Sequence, residues 1–433
     1  MANQFLEAPV LAQNTSDLLY VVDEYVAVSP MGTRMTKNAC KDCLFVIVNI
    51  GATVPLEYAL PLYGYLLPIF VATTTVINTF IVIVLSQKHL RTPTNYVLTS
   101  MAVTDLLTGL TSLPWFLYYY TMKGYLVDQR SGLDSFWCHV YPYLSYILPT
   151  VWHTAVIFLT VFLAIQRYVY VCVPGSIHRV CTPLTTRKCV IGIVLFSLLT
   201  VMPEIFGKYM EKTNVDGRNE CTIRYTSWVL DILGVQLYYS MYYWLRAVVV
   251  HFLPCILLII FTYKLARTIK LSDFINSGID PPASRKCSIA AGPGRTLHAT
   301  NRMLSVVCSV FLLLEIPAAL IFVLHIAIAT KVLTIDPRGY HILNVLLILR
   351  NILIVLTSPI QFTIYCSMSE QFRLTVRQLF SSKLLFVPQA QATFHGGKRY
   401  SLILVDVEKQ EENKRAKAKS SFLQVNHRYV YGL

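Results

Sequence analysis

Charge is scarce in this chain of 433 residues: only 14% are Asp, Glu, Lys or Arg, whereas 55% are hydrophobic. A soluble domain carries roughly a quarter charged residues, so a globular enzyme wetted on all sides is excluded. Acid is scarcer than base, with 23 Asp and Glu against 37 Lys and Arg and a net charge of +14. A basic balance ordinarily raises nucleic acid as a partner, and only the placement of the cations decides that. Internal repeats are also missing, which argues against a transporter of paired halves with broken helices, and there is no ring of pore charges. An intramembrane enzyme needs paired aspartates, a His-Glu-x-x-His helix or a Ser/His pair. Asp105 is the only aspartate inside an apolar run and none of those motifs occurs. Neither enzymatic activity nor a cofactor or metal site is expected.

What the chain does have is long apolar runs. Crossing about 30 Å of hydrocarbon as a helix takes about 20 mostly apolar residues. Seven stretches qualify: Tyr63–Leu85, Tyr96–Tyr118, Tyr143–Val169, Cys189–Phe206, Tyr242–Tyr263, Met303–Ala329 and Ile342–Tyr365. The expectation is an all-α membrane protein, a bundle of seven spans. Leu44 to Val54 is apolar but short, and reads as structure preceding the membrane. Thr226 to Tyr243 is aromatic yet carries Asp231 and Gln236, and is placed outside as a lid or an extension of the fifth helix. Residues 1–60 form an outer segment, 61–380 the bundle with a further amphipathic helix, and 381–433 a solvated tail with a mixed charge run from Glu408 to Ser421. The further helix is read from Phe372, Val376, Leu379 and Phe380 at helical spacing beside Arg373 and Arg377, a pattern suited to the inner membrane face.

Basic residues in short loops stay on the cytoplasmic side. With the N-terminus outside, the inner loops hold Lys88, Arg91, Arg179, Arg187, Lys188, Lys264, Arg267, Lys270, Arg285, Lys286, Arg295 and Arg302, opposed only by Asp273 and Asp280. The outer segments are balanced or acidic, so the N-terminus is expected outside and the C-terminus inside. The cations then face anionic headgroups and an inner partner, and no nucleic acid. No basic n-region with an apolar h-region opens the chain, so the first span is expected to act as its own insertion signal. Asn14-Thr15-Ser16 is a glycosylation triplet on the outer side. Four cysteines share that oxidising side: Cys40, Cys43, Cys138 and Cys221. Cys138 and Cys221 can tie the second outer loop to the third helix, and Cys40 can bridge locally to Cys43.

Polar groups within spans are costly and point to function. Asn78 and Asp105 lie in the first and second spans, Glu315 and Pro317 in the sixth, and Arg350, Asn351 and Pro359 in the seventh. Asn78 and Asp105 suit either interhelical hydrogen bonding or ion binding. Glu315 suits either a buried charge pair or a ligand contact, with Arg350 or Arg246 as the candidate cation. His153 and His251 read as isolated packed histidines. Pro149, Pro254, Pro317 and Pro359 each remove a helical hydrogen bond and mark places where helices bend.

Asn78, Ala102-Val103-Thr104-Asp105, Cys138, Gln166-Arg167-Tyr168 and the prolines of the last three spans, in that order, resemble the rhodopsin-like G-protein-coupled receptors over roughly Tyr63 to Phe380. Longer strings narrow the likeness. Arg91-Thr92-Pro93-Thr94-Asn95, Trp137-Cys138-His139, Gln166 to Cys172, Glu315-Ile316-Pro317 and Ile364 to Arg373 resemble the invertebrate sex peptide and myoinhibitory peptide receptors, with the myosuppressin and FMRFamide-like peptide receptors as relatives. The resemblance implies a receptor for short, C-terminally amidated neuropeptides, coupled to heterotrimeric G proteins with the inhibitory type as first expectation, and to arrestin. It implies that Arg167, flanked by Gln166 and Tyr168, engages the G protein and that Cys138 pairs with Cys221. It further implies that Asn78, Asp105 and Ser358 form a polar centre of the kind that holds sodium, and that Glu315, Pro317, Pro359 and Phe362 occupy switch positions. The chain departs from the class at several points. Gln166 replaces the acid that quiets the arginine, Glu315 stands in place of the switch tryptophan, and Ser358-Pro359-Ile360-Gln361-Phe362 replaces Asn-Pro-x-x-Tyr. The third span is also one turn longer between Cys138 and Arg167.

The expected ligand pocket draws on Trp115, Tyr119, Tyr146, Arg246, Glu315 and Arg350, with further aromatics at Tyr118, Tyr120, Tyr143 and Tyr239 to Trp244. A chemosensory receptor for small molecules is the alternative within the class. Ser288 after Arg285-Lys286, and Ser381, Ser382, Ser401, Ser420 and Ser421, are candidate phosphorylation sites. An epitope tag ahead of Met1 should stain on intact cells and a tag after Leu433 only after permeabilisation. The opposite pattern would overturn the charge argument.

Overall fold

The computed structural model describes residues 25–27, 45–48, 50, 56–215, 218–276, 295–330, 332–333, 337–368 and 370–381. Asn14, Cys40, Cys43, Ser288, Ser382, Ser401, Ser420 and Ser421 lie outside the described residues, as do the side chains of Ser358 and Ser381.

Proline and hydroxyl residues fix where several helices begin. Thr92 precedes Pro93, and its Oγ1 accepts from the Asn95 amide at 3.2 Å, capping α2 (Pro93–Phe116). Thr182 does the same for α4 (Pro183–Gly207) through the Thr185 amide at 3.2 Å. In both cases a proline at the first position uses a site whose N–H would be orphaned anyway. Asp134 caps the start of α3 (Ser135–Cys172). The other spanning helices are α1 (Leu56–Leu85), α5 (residues 235–276), α6 (Arg295–Ala329) and α7 (Pro337–Met368). α8 (Glu370–Ser381) is a separate amphipathic unit.

Among the described residues, five helices are long and apolar enough to cross a membrane: α1, α3, α4, Val235–Thr268 of α5 and Asn301–Ile328 of α6. α2 is diluted by hydroxyl residues. Thr99, Ser100, Thr104, Thr108 and Thr111 return their hydroxyls to carbonyls four residues earlier, which hides the polarity inside the helix. α7 is interrupted by Arg350 and Asn351. On α4, Ile191, Leu195, Leu199 and Phe206 are exposed along one face, the stripe a lipid-facing helix presents.

The helices close into a ring around α3. α1 packs on α2 and α7, α5 on α6, and α6 on α7, while α3 packs against α2, α4 and α5. α3 is accordingly buried over successive residues, from Thr154 to Ile157 and from Leu159 to Val161. α1, α3 and α5 carry π-helical turns at Leu60–Leu66, Tyr143–Ile147 and Ala247–Phe252, and a fourth, Leu117–Thr121, continues α2. Each wide turn rotates the residues beyond it relative to a regular helix, a device common at functional sites.

The expectation of an all-α chain missed one element. A four-stranded antiparallel sheet of order β1-β2-β4-β3 lies at one end of the bundle, formed by β1 (Tyr25–Ala27), β2 (Phe45–Val48), β3 (Lys208–Val215) and β4 (Arg218–Tyr225). β3 and β4 are the hairpin after α4, and β2 adds to it with Phe45 opposite Arg224 and Ile47 opposite Thr222. Phe45–Val48 of the short apolar run is thus a strand. The segment before α5 also resolves: Val235 onward extends that helix, after a wide turn at Val229–Leu233.

Gly207, where α4 hands over to β3, packs against Tyr238. A Cβ there would meet the Tyr238 Cζ at 2.7 Å. Overpacking of this kind costs about 1–3 kcal/mol. Gly207→Ala should lower the melting temperature of the detergent-purified protein by several degrees, whereas an unchanged value would show that Tyr238 moves aside freely.

Candidate functional site

The hairpin end holds a cavity of about 540 Å³. Its walls are the wide turns and the sheet: Tyr63 from α1, Trp115, Phe116 and Tyr120 from α2, Tyr141 and Tyr146 from α3, Tyr209, Met210 and Ile223 from the hairpin, Tyr239 and Tyr243 from α5, and Phe322, His325 and Ile326 from α6. Arg350 and Asn351 of α7 complete it, and Ile50, 2% exposed, brings the N-terminal segment into the wall. The disulfide Cys138–Cys221 joins the start of α3 to β4, Cα to Cα 5.7 Å, and fixes the hairpin over the cavity.

Charges in this region are matched across helices. Glu204, at the end of α4, receives the Lys208 Nζ at 2.6 Å and the Tyr243 hydroxyl at 3.1 Å. Arg246 donates to the hydroxyls of Tyr146 at 2.8 Å and Tyr242 at 3.3 Å, linking α5 to α3. Asn351 donates to the Tyr63 hydroxyl at 2.9 Å, linking α7 to α1. Arg350 lies 5.7 Å from the Phe322 ring, and its Nε has no hydrogen-bond partner among the described residues.

Of the residues expected in the pocket, Trp115, Tyr146 and Arg350 line it. Tyr119 does not: it is buried, stacked on Trp115 at 5.0 Å, with its hydroxyl given to Asp128 at 2.9 Å. Arg246 stands behind Tyr146. Glu315 is deeper, and its partners are not the arginines. His251 Nδ1 on α5 meets Oε1 at 3.1 Å and His153 Nε2 on α3 faces Oε2 at 3.4 Å. The histidines are therefore not isolated. Sequence offers no signal for this, because the three residues are far apart in the chain and meet only through helix rotation.

A second, small cavity of about 10 Å³ lies between Asp105, His153, Glu315 and the apolar Val156, Phe311, Leu314 and Ile354. Asn78 is buried in α1 but does not border it. Its polar lining is two carboxylates and an imidazole among apolar side chains, and no group of three or more His, Cys, Asp or Glu placed to hold a metal ion occurs among the described residues.

At the opposite end Gln166 is engaged with two other helices. Its Oε1 accepts from Thr94 of α2 at 3.3 Å and its Nε2 donates to Thr186 of α4 at 3.1 Å. Arg167 is buried, its guanidinium 5.8 Å from the Tyr170 ring, and its Nε has no hydrogen-bond partner among the described residues. Tyr168 packs on Phe261 at 5.4 Å, beneath Lys264. In the adjoining loop, burial pushes the Cys181 thiol up and Arg167 opposes that shift.

A ring of helices surrounds a long α3, a stapled hairpin covers an aromatic cavity and a buried arginine lies at the far end of α3, and the sequence that builds them matches a family model. That model, the 7 transmembrane receptor of the rhodopsin family, covers residues 76–365. The chain belongs to this family. It is a membrane receptor coupled to heterotrimeric G proteins and not an enzyme. The receptor is 36% identical over 342 residues to the sex peptide receptor of Drosophila melanogaster, covering 78% of this chain and 76% of that one. It is 30% identical over 391 residues to the sex peptide receptor-related protein 2 of Caenorhabditis elegans, covering 85% and 82%. The FMRFamide receptor of Drosophila melanogaster is 25% identical over 316 residues, with coverage of 71% and 52%.

Tyr146→Phe removes the shorter of the two hydroxyl contacts of buried Arg246. Hydrogen bonds to charged groups contribute about 1.5–3 kcal/mol, so the receptor should lose several degrees of thermal stability. Retention of the wild-type melting temperature would show that Tyr242 alone suffices.

Proposed function

We propose that this receptor is activated by short, C-terminally amidated neuropeptides of the myoinhibitory or a related type, and that it signals through an inhibitory G protein. The observation that carries this reading is the cavity of about 540 Å³ under the hairpin, walled by aromatic side chains from α1, α3, α5, α6, the end of α2 and the hairpin. Ligand sites are concave and largely apolar with a few placed polar groups, and here Arg350 supplies a donor among the aromatic faces. A free carboxylate for an ammonium ligand is missing from the lining of this cavity, since Glu204 is already held by Lys208 and Tyr243. That favours an uncharged end of a peptide, such as an amide, over an amine. The named relatives include receptors for sex peptide and FMRFamide, and this agrees with a peptide.

The ligand enters from outside, contacts Trp115, Tyr146 and Arg350, and stabilises an open state already present in the ensemble. α6 and α7 bend at Pro317 and Pro359, and Phe362, edge-on to Phe80 at 6.0 Å, follows α7. The far end then exposes Arg167, with Gln166 and Tyr168 beside it, to the G-protein α-subunit. Arrestin uses the same face after phosphorylation at Ser288 or in the tail at Ser381, Ser382, Ser420 and Ser421. The N-terminus, glycosylated at Asn14, lies outside, and the basic inner loops and α8 rest on anionic lipid.

A panel of short amidated peptides, their free-acid counterparts and small odorants, read by G-protein activation in transfected cells, tests this. Amidated peptides should activate at lower concentrations than the free acids, with odorants inert. Activation by odorants alone would overturn the reading in favour of a chemosensory receptor.

A further inference from the structure

We propose that Glu315, held by His251 and His153, is the latch that keeps α6 closed against α3 and α5 in the resting receptor. The inference rests on the receptor reading and adds to it the residues that set the resting balance.

The geometry comes first. A carboxylate only accepts hydrogen bonds, so His251 Nδ1 of α5 donates to it at 3.1 Å, while His153 Nε2 of α3 stands at ion-pair distance, 3.4 Å, without a hydrogen bond. Glu315 is 4% exposed and His251 2%. His251 lies in the wide turn Ala247–Phe252, and its ring also packs on Phe322 of α6 at 4.8 Å. One charged side chain of α6 is thereby clasped by two other helices at the level of Pro317, where α6 can bend.

The second observation is the space around it. The neighbouring cavity of about 10 Å³ holds roughly one water. A carboxylate released from both imidazoles would find no hydration shell there. Glu315 can therefore leave its partners only if the helices separate and water enters, which couples release to the movement of α6.

The third is what the other end lacks. Gln166 is tied to Thr94 and Thr186, and the Arg167 Nε has no hydrogen-bond partner among the described residues. Among the described residues no acid pairs with Arg167, which leaves the Glu315 contacts as the charged restraint that links α3, α5 and α6. The Glu315 clasp reaches across α3, α5 and α6, the helices whose separation opens the far end.

The test uses the full-length receptor, purified in nanodiscs without ligand. Spin-labelled unnatural residues at the exposed positions 188 on α4 and 302 on α6 report the inner-end distance. His251→Leu removes the donor, His153→Leu the second imidazole facing the carboxylate, and Glu315→Leu the acceptor. His251→Asn and His153→Gln keep an N–H near the lost nitrogen. Loss of one charge-assisted hydrogen bond shifts a two-state ratio about tenfold or more. The leucine variants should show a new long-distance population and raised ligand-free nucleotide exchange on added G protein, and the Asn and Gln variants should return both toward wild type. Wild-type distance distributions in all three leucine variants, or no rescue by the amides, would overturn the latch. A long-distance population without nucleotide exchange on any G protein would leave the latch standing and sink the coupling reading instead.

Discussion

A carboxylate in the middle of a membrane-spanning helix has to be held by its neighbours, and Glu315 finds a hydrogen bond from His251 of α5 and the His153 imidazole of α3 at ion-pair distance. Lipid offers no alternative solvation, so this one side chain constrains how the three helices approach. α3 must present His153 inward, and α5 must be turned so that His251 faces α6, which the wide turn at Ala247–Phe252 accomplishes. The same rotation lets Arg246, one turn earlier, point to Tyr146 rather than to Glu315. The two buried charges are therefore separated by design of the helix, each with its own hydrogen-bonding set.

The pocket follows from a parallel constraint at the hairpin end. Cys138–Cys221 fixes β4 to α3, β4 carries β2, and β2 brings Ile50 down against Trp115 and Tyr63. Ile50 is thus part of the wall. Glu204 is neutralised before any ligand arrives, and Arg350 is left with a donor among aromatic rings. The chemistry offered is that of a π-rich slot with one guanidinium.

Much of this could be read from the chain. Apolar runs located the seven helices, because hydrocarbon thickness sets a length that composition must meet, and α3, α5 and α6 run two turns or more beyond their apolar stretches. Terminal signals such as Thr92-Pro93 and Thr182-Pro183 fix helix starts. Arg167, Cys138 and Cys221 stand where their motifs placed them. The sheet escaped because Lys208 to Val215 and Arg218 to Tyr225 mix charge with apolar residues and carry no clean alternation. The wide turns escaped because no residue type announces them. Glu315 reads from the sequence as costly and functional, with the arginines as its candidate cations, whereas its partners are histidines. The azimuth of each helix decides such pairings, and the π-turns that set it were invisible.

The central claim is that Glu315 and His251 interact as a pair that stabilises the closed bundle. A double-mutant cycle of Glu315→Gln and His251→Ala, measured as thermal stability of the ligand-free receptor, isolates that term. The two changes should be non-additive, with a coupling of about 0.5–3 kcal/mol. Effects that add within about 0.5 kcal/mol would contradict it, because they would mean that the imidazole and the carboxylate do not sense one another.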